Sequence, residues 1–187
     1  MQYNQFEIKE NVAYVTLNRP DAANSLHIPM SEELHQIALQ CQQSEAVRAV
    51  LITGNGAFFC AGGDLASFAE AGDELPQQLE HMLNEFHAAI EIFAAMDAPV
   101  IAAVNGTAAG AGLSLMAMAD MAICSEKAKF TMAYTGAGLS PDGSSSYYLP
   151  RLIGVRRCKE LMLTNRQLSA QEALEWGLVN EVTAPDA

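Results

Sequence analysis

Apolar residues recur along the chain with two different periods, which predict alternating strands and helices. Residues 11–20 alternate apolar and polar positions at Val12 and Tyr14 and, after a change of register, at Val15 and Leu17, and the pattern stops at Pro20, which is typical of a strand. Residues 31–43 place apolar side chains at helical spacing behind Ser31, a residue type that favours the start of a helix. The β-branched run at residues 47–53 ends in a Gly-Asn-Gly turn and therefore predicts a buried strand.

The second half of the chain continues this alternation. Residues 76–96 predict a long amphipathic helix, because large apolar side chains recur along one side of it. The remaining predicted elements are a strand at 99–104, short strands at 121–124 and 129–132, a helix that begins with the Ser169 and Glu172 capping box, and a last strand at 178–182. Strands that alternate with helices predict an α/β fold with parallel pairing, organised as one domain over residues 1–187.

The segment at residues 104–120, VNGTAAGAGLSLMAMAD, contains three glycines within seven residues. Glycine costs about 1 kcal/mol relative to alanine inside a helix, so we expect another group to approach this backbone closely. The segment follows a strand and precedes a helix, where free N–H groups and the positive end of a helix dipole lie. Its spacing matches neither phosphate-binding glycine motif, which favours one small oxygen atom as the ligand. A close-packed strand–helix corner explains the same glycines equally well.

Charge and cysteine usage exclude several classes of function. The chain has 10 basic and 22 acidic residues, a net charge of −12, and so lacks the basic surface that nucleic-acid binding requires. Its 4 cysteines are widely scattered, which predicts reduced structural thiols and no metal site. No run reaches the roughly 18 apolar residues of a membrane span, and the polar N-terminus does not resemble a signal peptide. We therefore expect a soluble, cytoplasmic protein with neither nucleic-acid nor membrane partners.

A second segment, AFFCAGGDL at residues 57–65, also follows a predicted strand and ends in small residues. Two such turns can each aim one N–H group at the same point, which is how an oxyanion hole is built. FCAGGDL and PVIAAVNGTAAGAG, in this order, resemble the crotonase superfamily of enoyl-CoA hydratases and isomerases. The resemblance extends from Tyr14 to Val182.

This resemblance implies a core of repeated β-β-α units that binds an acyl-CoA thioester. The oxyanion donors would be the backbone N–H groups of Gly63 and Ala111, although position 111 is usually glycine in the family. The coenzyme A moiety would lie against Ala22, Ala23 and Asn24, with Ala61 opposite. Coenzyme A is part of the substrate, so no separate cofactor is expected.

Relatives continue with several more helices after the point where this sequence ends, so the resemblance leads us to expect a core without that C-terminal helical part. In the family these helices cover the acyl pocket and support trimers. If these helices are present in the protein, the resemblance implies a homo-oligomer, either a trimer or a hexamer. It also implies a role in lipid and fatty acid metabolism.

The resemblance also indicates which residue could be the catalytic acid or base. Hydratases of the family use two glutamates, and this chain has Ser114 and Tyr134 in their places. Hydration needs one carboxyl group to activate water and another to supply a proton. Asp142, within LSPDGSSS, stands where many family isomerases keep their active carboxylate, although Pro-Asp-Gly is also a good turn. We expect Asp142 to lie in a largely apolar pocket and to shift the double bond of a 3-enoyl-CoA to give a 2-enoyl-CoA.

Other interpretations stay open. His87 lies on the apolar face of its predicted helix, where a buried histidine with one hydrogen bond is the common outcome. The 4-chlorobenzoyl-CoA dehalogenases of the same superfamily have a functional histidine there and a nucleophilic aspartate at the place of Asp142. They also have a tryptophan in place of Tyr134 and a phenylalanine in place of Gly63, so the resemblance to them is partial. Hydratase activity, dehalogenase-like chemistry, and a non-catalytic acyl-CoA-binding or scaffold protein are the alternatives.

Overall fold

The computed structural model describes residues 1–184, and the last 3 residues of the predicted domain, 185–187, lie outside the described part. The strands are β1 (Asn4–Lys9), β2 (Val12–Leu17), β3 (Ala49–Gly54), β4 (Phe58–Cys60), β5 (Val100–Val104), β6 (Thr107–Ala109), β7 (Met121–Ser125), β8 (Lys129–Thr131), β9 (Leu168–Ser169) and β10 (Glu181–Thr183). The helices are α1 (Ile28–Gln43), α2 (Leu65–Ala71), α3 (Leu75–Ala95), α4 (Ala111–Ala117), α5 (Ser145–Ile153), α6 (Val155–Thr164) and α7 (Ala170–Trp176).

These strands form two sheets. The three β-β-α repeats are β3-β4-α2, β5-β6-α4 and β7-β8-α5, and each repeat contributes strands to both sheets. The larger sheet has the order β1-β2-β3-β5-β7-β10 and is parallel except for the β1–β2 pair. The smaller sheet has the order β4-β6-β8-β9, with β9 antiparallel to its neighbour. In each repeat the first strand joins the larger sheet and the second joins the smaller one. The predicted α/β class and the β-β-α repeats are therefore confirmed.

Several predicted boundaries differ from the structure. Helix α1 begins at Ile28 rather than Ser31, because Pro29 is tolerated in the first turn of a helix; His27 stands at the N-cap position in an extended conformation and makes no capping side-chain hydrogen bond. Ser31 is instead buried on the inner face of that helix. Strand β2 buries Ala13 and every second residue after it without a change of register. The sequence pattern missed β1 entirely, since only one face of this short edge strand is covered.

The glycines of the 104–112 segment are explained mainly by close backbone packing. A Cβ built on Gly106 would lie 2.1 Å from the Ala57 carbonyl oxygen, and one on Gly112 would lie 2.2 Å from that of Cys60. The group that approaches these two glycines is thus the chain of β4 and the residue before it. Gly110 has a different requirement, because its φ of 51° lies in the left-handed region.

We expect Gly112→Ala to destabilise the fold strongly. The new Cβ would meet backbone and Cβ atoms of Cys60 at 2.2–2.8 Å, and neither α4 nor β4 can withdraw without disturbing the core. Overpacking of this kind costs about 3 kcal/mol in the free energy of unfolding, which urea denaturation measures. Gly136→Ala is the matched control, because its Cβ would come no closer than 3.5 Å, to Asn165 Nδ2. Equal stabilities for the two variants would contradict this explanation of Gly112.

Candidate active site

An apolar cavity of about 270 Å³ opens at the carboxyl ends of the parallel strands of the smaller sheet. Ligands of open α/β sheets bind at this edge, because the loops that leave neighbouring parallel strands meet there. The turns after β4 and β6 form its floor, and α2, α3 and the 133–143 loop form its walls. Its large apolar lining residues are Leu26, Leu65, Phe68, Leu79, Met82, Leu83, Phe86 and Leu139.

The two predicted oxyanion donors both line this cavity. Gly63 lies in the turn after β4, and Ala111 is the first residue of α4, after β6. The turns touch each other, since a Cβ built on Gly62 would lie 3.4 Å from the Ala111 nitrogen. Within residues 1–184 neither the Gly63 nor the Ala111 N–H donates to another group. First-turn N–H groups of a helix have no partner within the helix, so the Ala111 N–H is free to bind a ligand oxygen.

The alanine at position 111 is compatible with this role. The residue that takes a positive φ is the preceding one, Gly110, whereas Ala111 already has a right-handed helical conformation. A methyl group at position 111 therefore adds no backbone strain and leaves the N–H in place.

Asp142 reaches the same cavity from the loop that follows β8. Its Oδ1 accepts a hydrogen bond of 2.8 Å from the Gly143 N–H and lies 2.9 Å from His87 Nε2. Its side chain is 33% exposed, so a ligand can reach the carboxylate. The carboxylate does not cap α5, whose N-cap position is Ser144. The sequence also allowed Asp142 a structural role in a turn. In the structure this role is limited to the hydrogen bond that its side chain accepts from the Gly143 N–H.

His87 lies on α3 and faces Asp142, an encounter that the sequence did not predict. Its side chain is 37% exposed, but the Nε2 atom is buried. Nε2 lies 2.9 Å from Asp142 Oδ1, within the distance of an ion pair, yet it makes no hydrogen bond in the described part of the chain. The expectation of a buried histidine with one hydrogen bond is therefore wrong, because the ring is partly exposed and its buried Nε2 makes no hydrogen bond in the described residues.

Ser114 and Tyr134, which replace the hydratase glutamates, contact each other beside Asp142. The Ser114 Oγ and Tyr134 Oη atoms are 3.1 Å apart, and Ser114 Oγ also donates to the Asp142 backbone carbonyl at 2.8 Å. Burial raises the pKa of Tyr134 well above its usual value, and the nearby Asp142 charge adds to this while the Ser114 hydrogen bond opposes it. The phenol therefore stays protonated and can donate a hydrogen bond.

The residues predicted to line coenzyme A lie next to the turn after β4 that contains Gly63, called the first oxyanion turn below. The Ala61 N–H donates to the Ala23 carbonyl at 3.0 Å, and Ala61 lines the cavity. Ala23 and Asn24 have φ values of 51° and 53°, so this short segment turns sharply after the 3-10 turn Pro20–Ala22. Contact of Ala22, Ala23 and Asn24 with coenzyme A stays a prediction.

The Asn24 side chain is occupied by structural contacts. It is buried, donates to the carbonyl groups of Asn55 and Phe58 at 2.9 and 2.8 Å, and accepts from the Arg19 N–H. Only the backbone of Asn24 is therefore available to a ligand.

Sequence reasoning missed the role of Arg19, which fastens the 19–26 segment to the first oxyanion turn. Its Nη2 atom lies 2.9 Å from Asp64 Oδ2, and its Nη1 donates to the Ser25 carbonyl. Asp64 also caps α2 by accepting from the N–H groups of Ala66 and Ser67. Burial alone would raise the pKa of Asp64, but its hydrogen bonds from Arg19 and the α2 backbone outweigh this and lower it. The sequence signal that could have revealed this role is the arginine that opens the segment RPDAANSL, residues 19–26.

The cysteines are all buried free thiols, and Cys60 lies directly beneath the first turn. Burial raises the pKa of Cys60 to about 12, with a smaller opposing effect of the Gly62 N–H, so this thiol is not a nucleophile. Across residues 1–184 no cluster of three histidine, cysteine or acidic residues could hold a metal ion. No helix of this same part is long and apolar enough to cross a bilayer.

Known proteins resemble this chain over nearly its whole length. The family model described as Enoyl-CoA hydratase/isomerase matches residues 7–187. The 4-chlorobenzoyl coenzyme A dehalogenase-2 of an Arthrobacter species is 37% identical over 94% of this chain and 64% of its own length. The 1,2-epoxyphenylacetyl-CoA isomerase of Escherichia coli is 36% identical over 97% of this chain and 70% of its own length.

Solved structures match equally well. An enoyl-CoA hydratase from Bacillus anthracis superposes with a TM-score of 0.92 at 37% identity, covering 99% of this chain and 71% of the other. This chain thus spans about two thirds of the length of the relatives that it matches.

Proposed function

The chain belongs to the enoyl-CoA hydratase/isomerase family, and on that premise we propose that it is an isomerase that converts a 3-enoyl-CoA into the conjugated 2-enoyl-CoA. One observation supports this reaction above the others. Among the residues that line the cavity, Asp142 has the only carboxyl group, and the two free N–H groups of Gly63 and Ala111 open into the same space. A single carboxylate suffices for isomerisation, because the proton removed at one carbon is returned at another.

The proposed reaction begins with the thioester oxygen between the Gly63 and Ala111 N–H groups. Asp142 removes a proton from C2, and the C–H electron pair forms the enolate, whose negative charge the two N–H groups stabilise. The same carboxyl group then returns that proton to C4, and the double bond moves into conjugation with the thioester. The apolar walls of the cavity strengthen these electrostatic interactions because they exclude water.

The two oxygens of Asp142 have different roles in this proposal. Oδ1 is held by the Gly143 N–H and lies beside His87, whereas Oδ2 makes no hydrogen bond within residues 1–184. Oδ2 is therefore the oxygen that faces the substrate and takes the proton. The contacts of Oδ1 keep the carboxylate at one orientation during both proton transfers.

Hydration is disfavoured by the groups at the two glutamate positions. Water addition needs a base for the water and an acid for the carbon, and neither Ser114 nor Tyr134 supplies a carboxylate. The Tyr134 phenol stays protonated because its pKa is raised by burial, so it cannot act as the base.

The contact between His87 and Asp142 favours one second candidate, a dehalogenase-like reaction with Asp142 as the nucleophile. The distance of 2.9 Å between His87 Nε2 and Asp142 Oδ1 supports it, as does the 37% identity to the 4-chlorobenzoyl coenzyme A dehalogenases. Gly63 argues against it, since those relatives have a phenylalanine in the first turn. We therefore place this reaction second.

Three substrates distinguish these reactions in one experiment. We expect a 3-enoyl-CoA such as 3-hexenoyl-CoA to give the conjugated thioester, detected by its ultraviolet absorbance. Crotonyl-CoA should not add water, and 4-chlorobenzoyl-CoA should leave no covalent adduct on Asp142 in mass spectra. An adduct, or rapid hydration without isomerisation, would overturn the assignment. Calorimetry with acetyl-CoA and a longer saturated acyl-CoA completes the test, because a protein that binds neither is a non-catalytic scaffold.

A further inference from the structure

We propose that Ser114 is a positioning residue that fixes the distance between the oxyanion turn and the catalytic base. This inference rests on the proposed function of Asp142. Ser114 lies on α4, one helical turn after the Ala111 donor, and its side chain is completely buried. It thus belongs to the helix that presents the oxyanion donor and also contacts the loop that presents the base.

One hydroxyl group touches both parts of the site. Ser114 Oγ lies 2.8 Å from the Asp142 carbonyl oxygen and 3.2 Å from the Gly110 carbonyl oxygen, with Tyr134 Oη at 3.1 Å. Gly110 precedes the Ala111 N–H donor, and Asp142 carries the base. The hydroxyl is therefore a direct link between the two groups whose separation the reaction depends on.

The direction of the hydrogen bonds follows from the number of available protons. A serine hydroxyl has one proton, and the two carbonyl groups can only accept. The Asp142 carbonyl is the nearer acceptor, so Ser114 donates to it. Tyr134, whose phenol stays protonated, then donates to Ser114 Oγ. The three groups form one chain from Tyr134 through Ser114 to the backbone of Asp142.

The loop that precedes Asp142 is anchored at its start, where Thr135 Oγ1 donates to the Met162 carbonyl at 3.0 Å and accepts from Asn165 Nδ2 at 2.6 Å. Residues 135–140 are exposed, whereas Gly143 is buried directly against Ser114. A Cβ built on Gly143 would lie 2.8 Å from both Ser114 Cβ and Phe86 Cε1. Where this loop returns to the protein, Gly143 packs against Ser114 and Phe86, and the Asp142 carbonyl accepts from Ser114 Oγ and from the Ser145 N–H at 3.1 Å. Of these contacts, only the one with Ser114 connects Asp142 to the helix that carries the Ala111 donor.

We expect Ser114→Ala to lower kcat by about 10- to 100-fold, because a displacement of about 1 Å in a catalytic group can cost a factor of 10². The affinity for butyryl-CoA should not change, since Ser114 does not line the cavity. Ser114→Cys, which keeps the volume of the site but is a weak donor, should show a loss in the same direction. This second variant covers the case in which the alanine variant fails to fold.

Ser145→Ala is the matched control. Ser145 is equally buried and lies three residues after Asp142, yet its hydroxyl makes no hydrogen bond in the described residues. Removal of this hydroxyl should leave kcat and the affinity for butyryl-CoA unchanged.

The deciding experiment compares Ser114→Ala in the natural chain and in an Asp142→Asn background, with kcat, KM and the Kd of butyryl-CoA measured for each. If Ser114 acts through Asp142, its substitution lowers kcat only while Asp142 is present. An equal further loss in the Asp142→Asn background, or a Ser114→Ala variant as active as Ser145→Ala, would overturn the inference. Failure of the proposed function is distinct, because Asp142→Asn would then keep the natural rate.

Discussion

Asp142→Asn is expected to slow isomerisation of a 3-enoyl-CoA by about 10²- to 10⁴-fold, the usual contribution of general acid–base catalysis. Asparagine has nearly the same size as aspartate, and its side-chain oxygen can still accept the Gly143 N–H. It cannot take a proton from C2, so the chemical step fails. The affinity for a saturated acyl-CoA should change little, because the cavity walls and the two N–H donors remain. Steady-state kinetics and calorimetry measure both quantities.

Asp73→Asn is the control for the loss of one negative charge. Asp73 is exposed in the 3-10 turn Gly72–Glu74, and we expect this variant to keep full activity. If Asp142→Asn isomerises as fast as the natural chain, Asp142 is only a turn residue and another group performs the chemistry.

Ala111→Pro is expected to lower turnover by about 10²- to 10³-fold, since it removes one oxyanion donor. Proline has no N–H, but it is well accepted at the first position of a helix, which Ala111 occupies in α4. The preceding Gly110 has a left-handed φ and so avoids the helical conformation that proline disfavours before it. The substitution therefore deletes the donor while α4 can still form.

Ala111→Gly provides the comparison for this variant, because it keeps the N–H and removes only the methyl group. We expect it to retain most of the activity, and both variants should show the circular dichroism of the natural chain. Full activity of a folded Ala111→Pro variant would show that the Ala111 N–H does not bind the reacting oxygen.

Local sequence patterns were sufficient for the class of fold and for the two turns of the site. Periods of two and of 3.6 residues predicted α3 and the parallel strands of the larger sheet, because side chains one period apart share the same face whatever surrounds them. The short strands β4 and β6 carry too few residues for a period to show. The turns around Gly63 and Ala111 were predictable because glycine and small residues at strand ends indicate that the backbone there is closely approached or has a positive φ. Asp142 was found through the family resemblance.

Only the tertiary structure decided how these parts meet. His87 and Asp142 are 55 positions apart, and Ser114 and Tyr134 are 20 apart, yet each pair is in contact. No local period encodes such contacts, since they arise from the way in which the ends of β4, β6 and β8 are aligned in one sheet. The close approach at Gly106 and Gly112 has the same origin: the sequence required a neighbour there, and the sheet determined that the neighbour is the chain of β4.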